Sequence, residues 1–261
     1  MSTHLHRRQF LQATSALVAS LHAPLHQLVK AQSGAGTTPR LLHLELQANK
    51  LDELKNFYHK KLGLAISTDT NDGFTLKTGP STIKFKPALP QTEPFYHFAF
   101  NIPENQFADA KAWLSKRVPL LIDSSTGKDE VYFAAWNAHA VYYRDPAGNI
   151  GEFIARHTLK NGTTTTFSEQ SLLCVSEIGL VAGDTKTLSA DVAQKLNWPK
   201  SGSDMAFVGD GMGYLIIAPA GRPWLPDRIQ KAAIAPVQVK VNQSLKEPME
   251  WPKLPYVIRG T

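Results

Sequence analysis

Two strand-like segments each carry one histidine at the same phase, and that repetition restricts what the chain can fold into more than any other feature. In the first, Leu42, Leu44 and Leu46 alternate with His43, Glu45 and Gln47. In the second, Tyr96, Phe98, Phe100 and Ile102 alternate with His97, Ala99 and Asn101. Period-two alternation marks a strand with one packed face and one more polar face, so each segment turns a histidine away from its greasy side. A turn, Asp145-Pro146-Ala147-Gly148-Asn149, then feeds a short segment that ends in Glu152. Two imidazoles and one carboxylate from three strands are the ingredients of an open divalent-metal site.

Each histidine strand leads into a helix-like segment. Leu51, Leu54, Phe57, Tyr58 and Leu62 recur at helical spacing before Gly63, and Phe107, Ala110, Trp113 and Leu114 do the same after His97. Short strands are expected at 64–67, 74–77 and 82–86 after the first helix. After the second they are expected at 120–122, 131–136, 140–143 and 151–155. The unit is thus strand, helix, then three strands. A third copy starts near Glu177, which takes the histidine's phase, with Leu188, Val192 and Leu196 as its helix face and strands at 206–208, 214–218 and 237–241. The polar, aperiodic run 161–166 reads as a linker. The end of the chain, with Pro248, Pro252 and Pro255, reads as a proline-rich tail over 244–261.

The formal charge of +6 is concentrated at the start, where Arg7, Arg8 and Lys30 stand among 32 residues without an acid. With those set aside, no basic cluster interleaved with aromatics remains, so nucleic acid is not an expected partner. Arg7, Arg8, Phe10 and Leu11 fill the Arg-Arg-x-Phe-Leu pattern of a twin-arginine leader. The apolar stretch after them, broken by His22, Pro24 and His26, is too weak to span a membrane. Residues 1–33 therefore read as an export signal cleaved near 31–35, with the twin-arginine translocase as a partner and the periplasm or the exterior as destination. Cys174 is the one cysteine; it excludes an intrachain disulfide and sits in an apolar run that suits a buried thiol.

The repeated unit, with His43 and His97 on first strands and Asp145-Pro146-x-Gly148-Asn149-x-x-Glu152 on a closing hairpin, resembles the vicinal oxygen chelate superfamily. That group includes glyoxalases, bleomycin-resistance proteins and extradiol dioxygenases. The resemblance implies an α+β fold of βαβββ modules. Modules 40–157 would pair as one cupped mixed sheet around a metal, and 172–243 would be a third, divergent module. It also implies His43, His97 and Glu152 as metal ligands, with Tyr142 beside a bound substrate and Glu152 as the catalytic carboxylate. The fourth ligand position falls within 81–86, where this chain has no carboxylate.

Three ligands leave positions open for a chelating substrate and oxygen, which suits Fe(II) or Mn(II), with Zn(II) or Ni(II) also compatible. The resulting expectation is an exported metal-dependent dioxygenase acting on a small, catechol-like substrate. Its alternatives are a glyoxalase-like lyase or isomerase and a small-molecule binding or resistance protein. Glu45 and Gln47 share His43's face and line the cavity or its rim. His139 lies near the mouth, His59 is solvated, and Glu177 is read as structural. An unpaired third module suggests a homodimer through its open sheet edge.

Overall fold

The computed structural model describes residues 38–261, so residues 1–33, expected to be an export signal, and the expected cleavage region lie outside the described residues. The first repeat holds β1 (Leu41–Ala48), α1 (Leu51–Lys55, widened into a π turn over Asn56–Lys61), β2 (Ala65–Thr70), β3 (Gly73–Thr78) and β4 (Ser81–Pro87). The second holds β5 (His97–Ile102), α2 (Phe107–Ser115), β6 (Val131–Phe133), β7 (Ala138–Arg144) and β8 (Ile150–Arg156). The third holds β9 (Cys174–Ala182), α3 (Thr185–Leu196), β10 (Lys200–Gly202), β11 (Ala206–Asp210) and β12 (Gly213–Pro219). Then follow β13 (Val237–Val241), β14 (Met249–Trp251) and β15 (Leu254–Arg259).

The alternation read from the sequence holds from His43 onward, while an irregularity between Leu41 and His43 leaves Leu42 half-buried and buries Leu41 instead. Leu44, Leu46 and Ala48 of β1 are buried, and His43, Glu45 and Gln47 are half-buried. Gly63 ends the first helix at φ +76°, a conformation that costs glycine little. The segment at 120–122 makes only one bridge, Leu120 to Tyr143, and the run 131–136 leaves β6 for a helical turn at Ala134–Trp136.

The pairing of modules differs from the expected one. One sheet has seven strands in the order β14-β15-β13-β1-β4-β3-β2, and the other has eight in the order β10-β11-β12-β9-β5-β8-β7-β6. The second repeat therefore pairs with the third, through antiparallel β5 and β9, and the first repeat does not join the second. Residues 237–241 do not close the third module, which is completed by β10, β11 and β12. They open a fourth module in the other sheet. There β13 runs antiparallel to β1 and parallel to β15, as each first strand runs parallel to its module's last. The proline-rich end is likewise no surface tail, because β14 and β15 build the outer strands of that sheet and bury Met249, Tyr256 and Ile258. The fourth module lacks the helix and the second strand of the other three, and so shows no helical period to detect.

The backs of the two sheets share one core. Leu44, Leu46 and Phe85 of the first meet Phe98, Phe100, Val175 and Ile178 of the second in a single buried cluster, with the Phe85 and Phe98 rings 6.4 Å apart. Each sheet turns its other, polar-phase face away from that core. His43 and His97 stand on these two outward faces and cannot converge on one ion. The edges left for a dimer in the sequence reading are also closed, since β9 pairs with β5 within the chain.

Candidate metal centre

In the second cup, adjacent strands bring three side chains together. His97 is on β5, Glu152 on the neighbouring β8 opposite Ala99, and Glu177 on β9, also opposite Ala99. The His97 Nε2 atom lies 3.4 Å from Glu152 Oε2 and 3.9 Å from Glu177 Oε2. Each of the three offers a ligand atom within 4.8 Å of the others. All are buried, at 6, 2 and 3% exposure, which decides their chemistry: water cannot satisfy their lone pairs.

Hydrogen bonding orients the imidazole. His97 Nδ1 faces the Ile150 carbonyl at 3.2 Å, so Nδ1 carries the proton and Nε2 presents its lone pair to the carboxylates. Burial pulls the imidazole down to a pKa of about 4, with the Arg222 charge acting in the same direction, so the ring is neutral near pH 7. Its carboxylate contacts are therefore not ion pairs.

The two glutamates differ in company. Glu177 forms an ion pair with Arg156, which is itself 3% exposed and is held by Asn101 Oδ1 at 3.2 Å; Asn101 in turn donates to the Gly211 carbonyl at 2.7 Å. Glu152 has no such partner. Burial, then the Glu177 charge, pushes its pKa well above the usual carboxylate range, against the more distant pull of Arg156. Tyr142 stands directly across from Glu152 on β7, and burial and both carboxylates hold its phenol protonated.

A divalent cation fits this set. The His97 Nε2 lone pair and one oxygen from each carboxylate converge; Arg156 offsets one side of Glu177 and Tyr142 donates to Glu152, and a divalent cation would compensate what remains. The pair is pseudo-symmetric about Phe98 and Ile178, so Glu177 corresponds to His97, and the partner of Glu152 is Ile216 on β12. The fourth corner is thus apolar, leaving three protein donors.

His43 is absent from the group. Its cup carries Lys84 where the second has Glu152, and Gln238 and Lys240 lie alongside on β13. The His43 Nδ1 atom is 2.7 Å from the Thr82 hydroxyl, and flanking lysines hold no cation site. Glu45 does line that first cup, bound by Gln238 at 3.1 Å and by Lys86. Of the sequence-derived residues, then, His97, Glu152 and Tyr142 meet, His43 does not, and Glu177 takes its place. The phase of Glu177 on a first strand was the signal for it, and Arg156, four residues after Glu152 on the same strand face, was visible too. His139 faces away from the cup, 4.9 Å from the Phe107 ring, and its Nδ1 is 2.8 Å from His157 Nε2. His59 is half-exposed and bonds the Leu64 carbonyl. Cys174 is buried, and burial raises its thiol pKa.

The rest of the cup is apolar and distinct from the main core. Ala99, Ala138, Ala140 and Ala218 keep its floor shallow. Phe95, Tyr142, Val181, Phe207, Ile216 and Trp224 line it.

No protein-family model and no curated protein matches the sequence. Solved structures do match the fold. The "putative dioxygenase" of Bacillus subtilis subsp. subtilis str. 168 aligns at a TM-score of 0.53 and 15% identity, over 78% of this chain and 71% of its own. A glyoxalase I variant from Zea mays aligns at 0.50 and 15% identity, over 85% of this chain and 92% of its own. The fold is therefore shared with these proteins: α+β, with paired βαβββ modules in curled sheets.

Proposed function

We propose that the chain is a metal-dependent enzyme of vicinal oxygen chelate type, with its centre at His97, Glu152 and Glu177 in the second cup. The observation that carries this reading is the buried convergence of one imidazole lone pair and two carboxylates, with a single guanidinium, Arg156, to offset them. A bound Mn(II) or Fe(II), or another divalent ion, would supply Lewis acidity to two adjacent oxygens of a small substrate. Arg156 opposes the effect of burial on Glu177, so Glu177 gives up its proton to a metal more readily than Glu152 does. Glu152, free of that partner, is the carboxylate that takes up and returns a proton, across from the Tyr142 hydroxyl. Tyr142 can donate to a substrate oxygen and cannot serve as base near neutral pH. A carboxylate-rich centre with one proton-carrying glutamate suits lyase or isomerase chemistry.

A second reading, oxygen-dependent cleavage of a catechol-like ring, is favoured by the aromatic lining of the cup and the three-donor set. The sequence-based case for it used two histidines, and the assembled site holds one. Export through the twin-arginine route, which carries folded proteins, is part of the proposal and is supported by Arg7, Arg8, Phe10 and Leu11.

Titration of Mn(II) into the purified protein, followed by electron paramagnetic resonance, tests the centre. One ion per chain is expected in the wild type and in His43→Ala, and none in His97→Ala or Glu177→Gln. Loss of the ion in His43→Ala with retention in Glu177→Gln would overturn the assignment. Hydrogen exchange at carbon in hydroxy-ketone substrates, set against oxygen uptake on a catechol panel, separates the two activities.

A further inference from the structure

The second cup is closed. The connection from β12 to β13, residues 220–236, lies across it and inserts Trp224, which is 4% exposed. The indole ring centre is 5.0 Å from that of His97. It also rests on Gly179 of β9, two residues from Glu177. A Cβ at Gly179 would come within 2.8 Å of the indole, so glycine at this position makes the room that Trp224 fills. The cavity left beside His97, Gly179, Val181 and Trp224 is only about 10 Å³, too small for one water molecule to occupy freely. His97, Glu152 and Glu177 are all buried beneath this cover.

Two further observations bear on how firmly the indole is held. Its Nε1–H is buried with no hydrogen-bond partner, a cost paid as long as Trp224 stays inside. The segment is also largely self-contained. It is stitched internally by Trp224 to Gln230, Ala232 to Arg222 and Gly221 to Ala232 backbone bonds. Its polar ties outward include Ser124 N to the Pro226 carbonyl at 3.1 Å and the Arg144–Asp227 ion pair at 2.8 Å. Its tip exposes Ile229 at 76%. A segment that keeps its own bonds when it moves and breaks few others is built to swing as a unit.

We propose that residues 220–236 are a lid whose Trp224 occupies the place of the substrate's ring. The cup then takes a flat, largely apolar aromatic molecule that presents its oxygens to His97, Glu152 and Glu177. This rests on the metal-centre reading for the direction of the oxygens, but the lid itself does not need a metal. An indole already fits against Gly179 and among Phe95, Val181 and Ile216, so a ring of one or two fused six- or five-membered cycles fits when the indole leaves.

The test uses two probes on the full mature chain. With Mn(II)-loaded protein and 4-nitrocatechol in stopped flow, the wild-type association rate levels off with probe concentration, because opening limits it. Asp227→Asn releases the lid tie without touching the cup, and raises that plateau roughly threefold, the scale of one partly exposed ion pair. Trp224→Ala removes the levelling-off altogether. With metal-free protein, indole binds Trp224→Ala roughly tenfold or more tighter than wild type, because the vacated volume accepts it. If the wild-type rate stays linear with concentration and Asp227→Asn leaves it unchanged, the lid is overturned. If the protein binds no Mn(II), the metal reading fails alone, and tight indole binding by Trp224→Ala still supports the lid. Equal indole affinity in a folded Trp224→Ala and the wild type overturns it.

Discussion

His43 and His97 occupy the same strand position, and only their neighbours set them apart. Beside His97 stand Glu152 and Glu177; beside His43 stand Thr82 and Lys84. The phase of each side chain was legible in the sequence, because alternation follows from strand geometry alone. Its company was not, because company depends on which first strand pairs with which. Four strands of this kind compete for partners, and their hydrophobic faces look alike. The electrostatics of the real group give a prediction with a sign. Burial makes the folded, metal-free protein hold protons on Glu152 and Glu177 more tightly than the unfolded chain does, and the Glu177 charge adds to this at Glu152. That contribution to stability is present at low pH and fades as pH rises through the raised values. A metal must displace those protons, so apparent Mn(II) affinity should climb as pH rises above the ordinary carboxylate range. Calorimetry in buffers of different ionisation enthalpy should detect proton release on binding. Glu152→Gln should flatten the fall in thermal midpoint that the metal-free wild type shows over the same range. A pH-independent affinity would refute the proton count.

Among the elements, the turn before β8 fixes where Glu152 points. Asp145 Oδ1 accepts from the Ala147 and Asn149 amides at 2.9 Å each. Its Oδ2 accepts at 2.8 Å from the Tyr58 hydroxyl and from Asn149 Nδ2. Asn149 Oδ1 then accepts from the Tyr96 amide at 2.8 Å, which ties the turn to the residue before His97. One carboxylate thus joins helix, turn and two of the three strands that carry His97, Glu152 and Glu177. Asp145→Ala leaves those donors buried and unpaired, and should cost about 3 kcal/mol. Urea denaturation should show a lower midpoint at unchanged slope, and a loss under 1 kcal/mol would mean the network is dispensable. This turn was readable from Asp145, Gly148 and Asn149, because a turn is a local event. The fourth module was not readable: without a helix it has no 3.6-residue period, and Pro248, Pro252 and Pro255 stand beside or within its short last strands. Missing it left three modules, an odd number, and the odd one was given to a dimer.

For the whole molecule, the pairing is nested: the second module with the third, and the first with the last. Both inner first-strand edges are thereby filled within the chain, so sedimentation at micromolar concentration should show a monomer. Export is a separate test at this scale. Arg7-Arg8→Lys-Lys should hold the protein in the cytoplasm, and unchanged delivery to the periplasm would mean another feature is read.

Nesting also sets a timetable. Leu41 pairs with Val241, so the first strand made waits for nearly the last. During synthesis the inner pair can close as soon as residue 219 has left the ribosome, and the outer pair cannot close until the chain is almost finished. Closing so long a loop is slow, and until it happens one side of β1 stays open to any other strand, including that of a neighbouring nascent copy. A message truncated before residue 237 would release a chain with its inner cup whole and its outer one half-walled. Such a chain could bind a metal and still be recognised as unfinished by whatever inspects proteins before they cross a membrane folded.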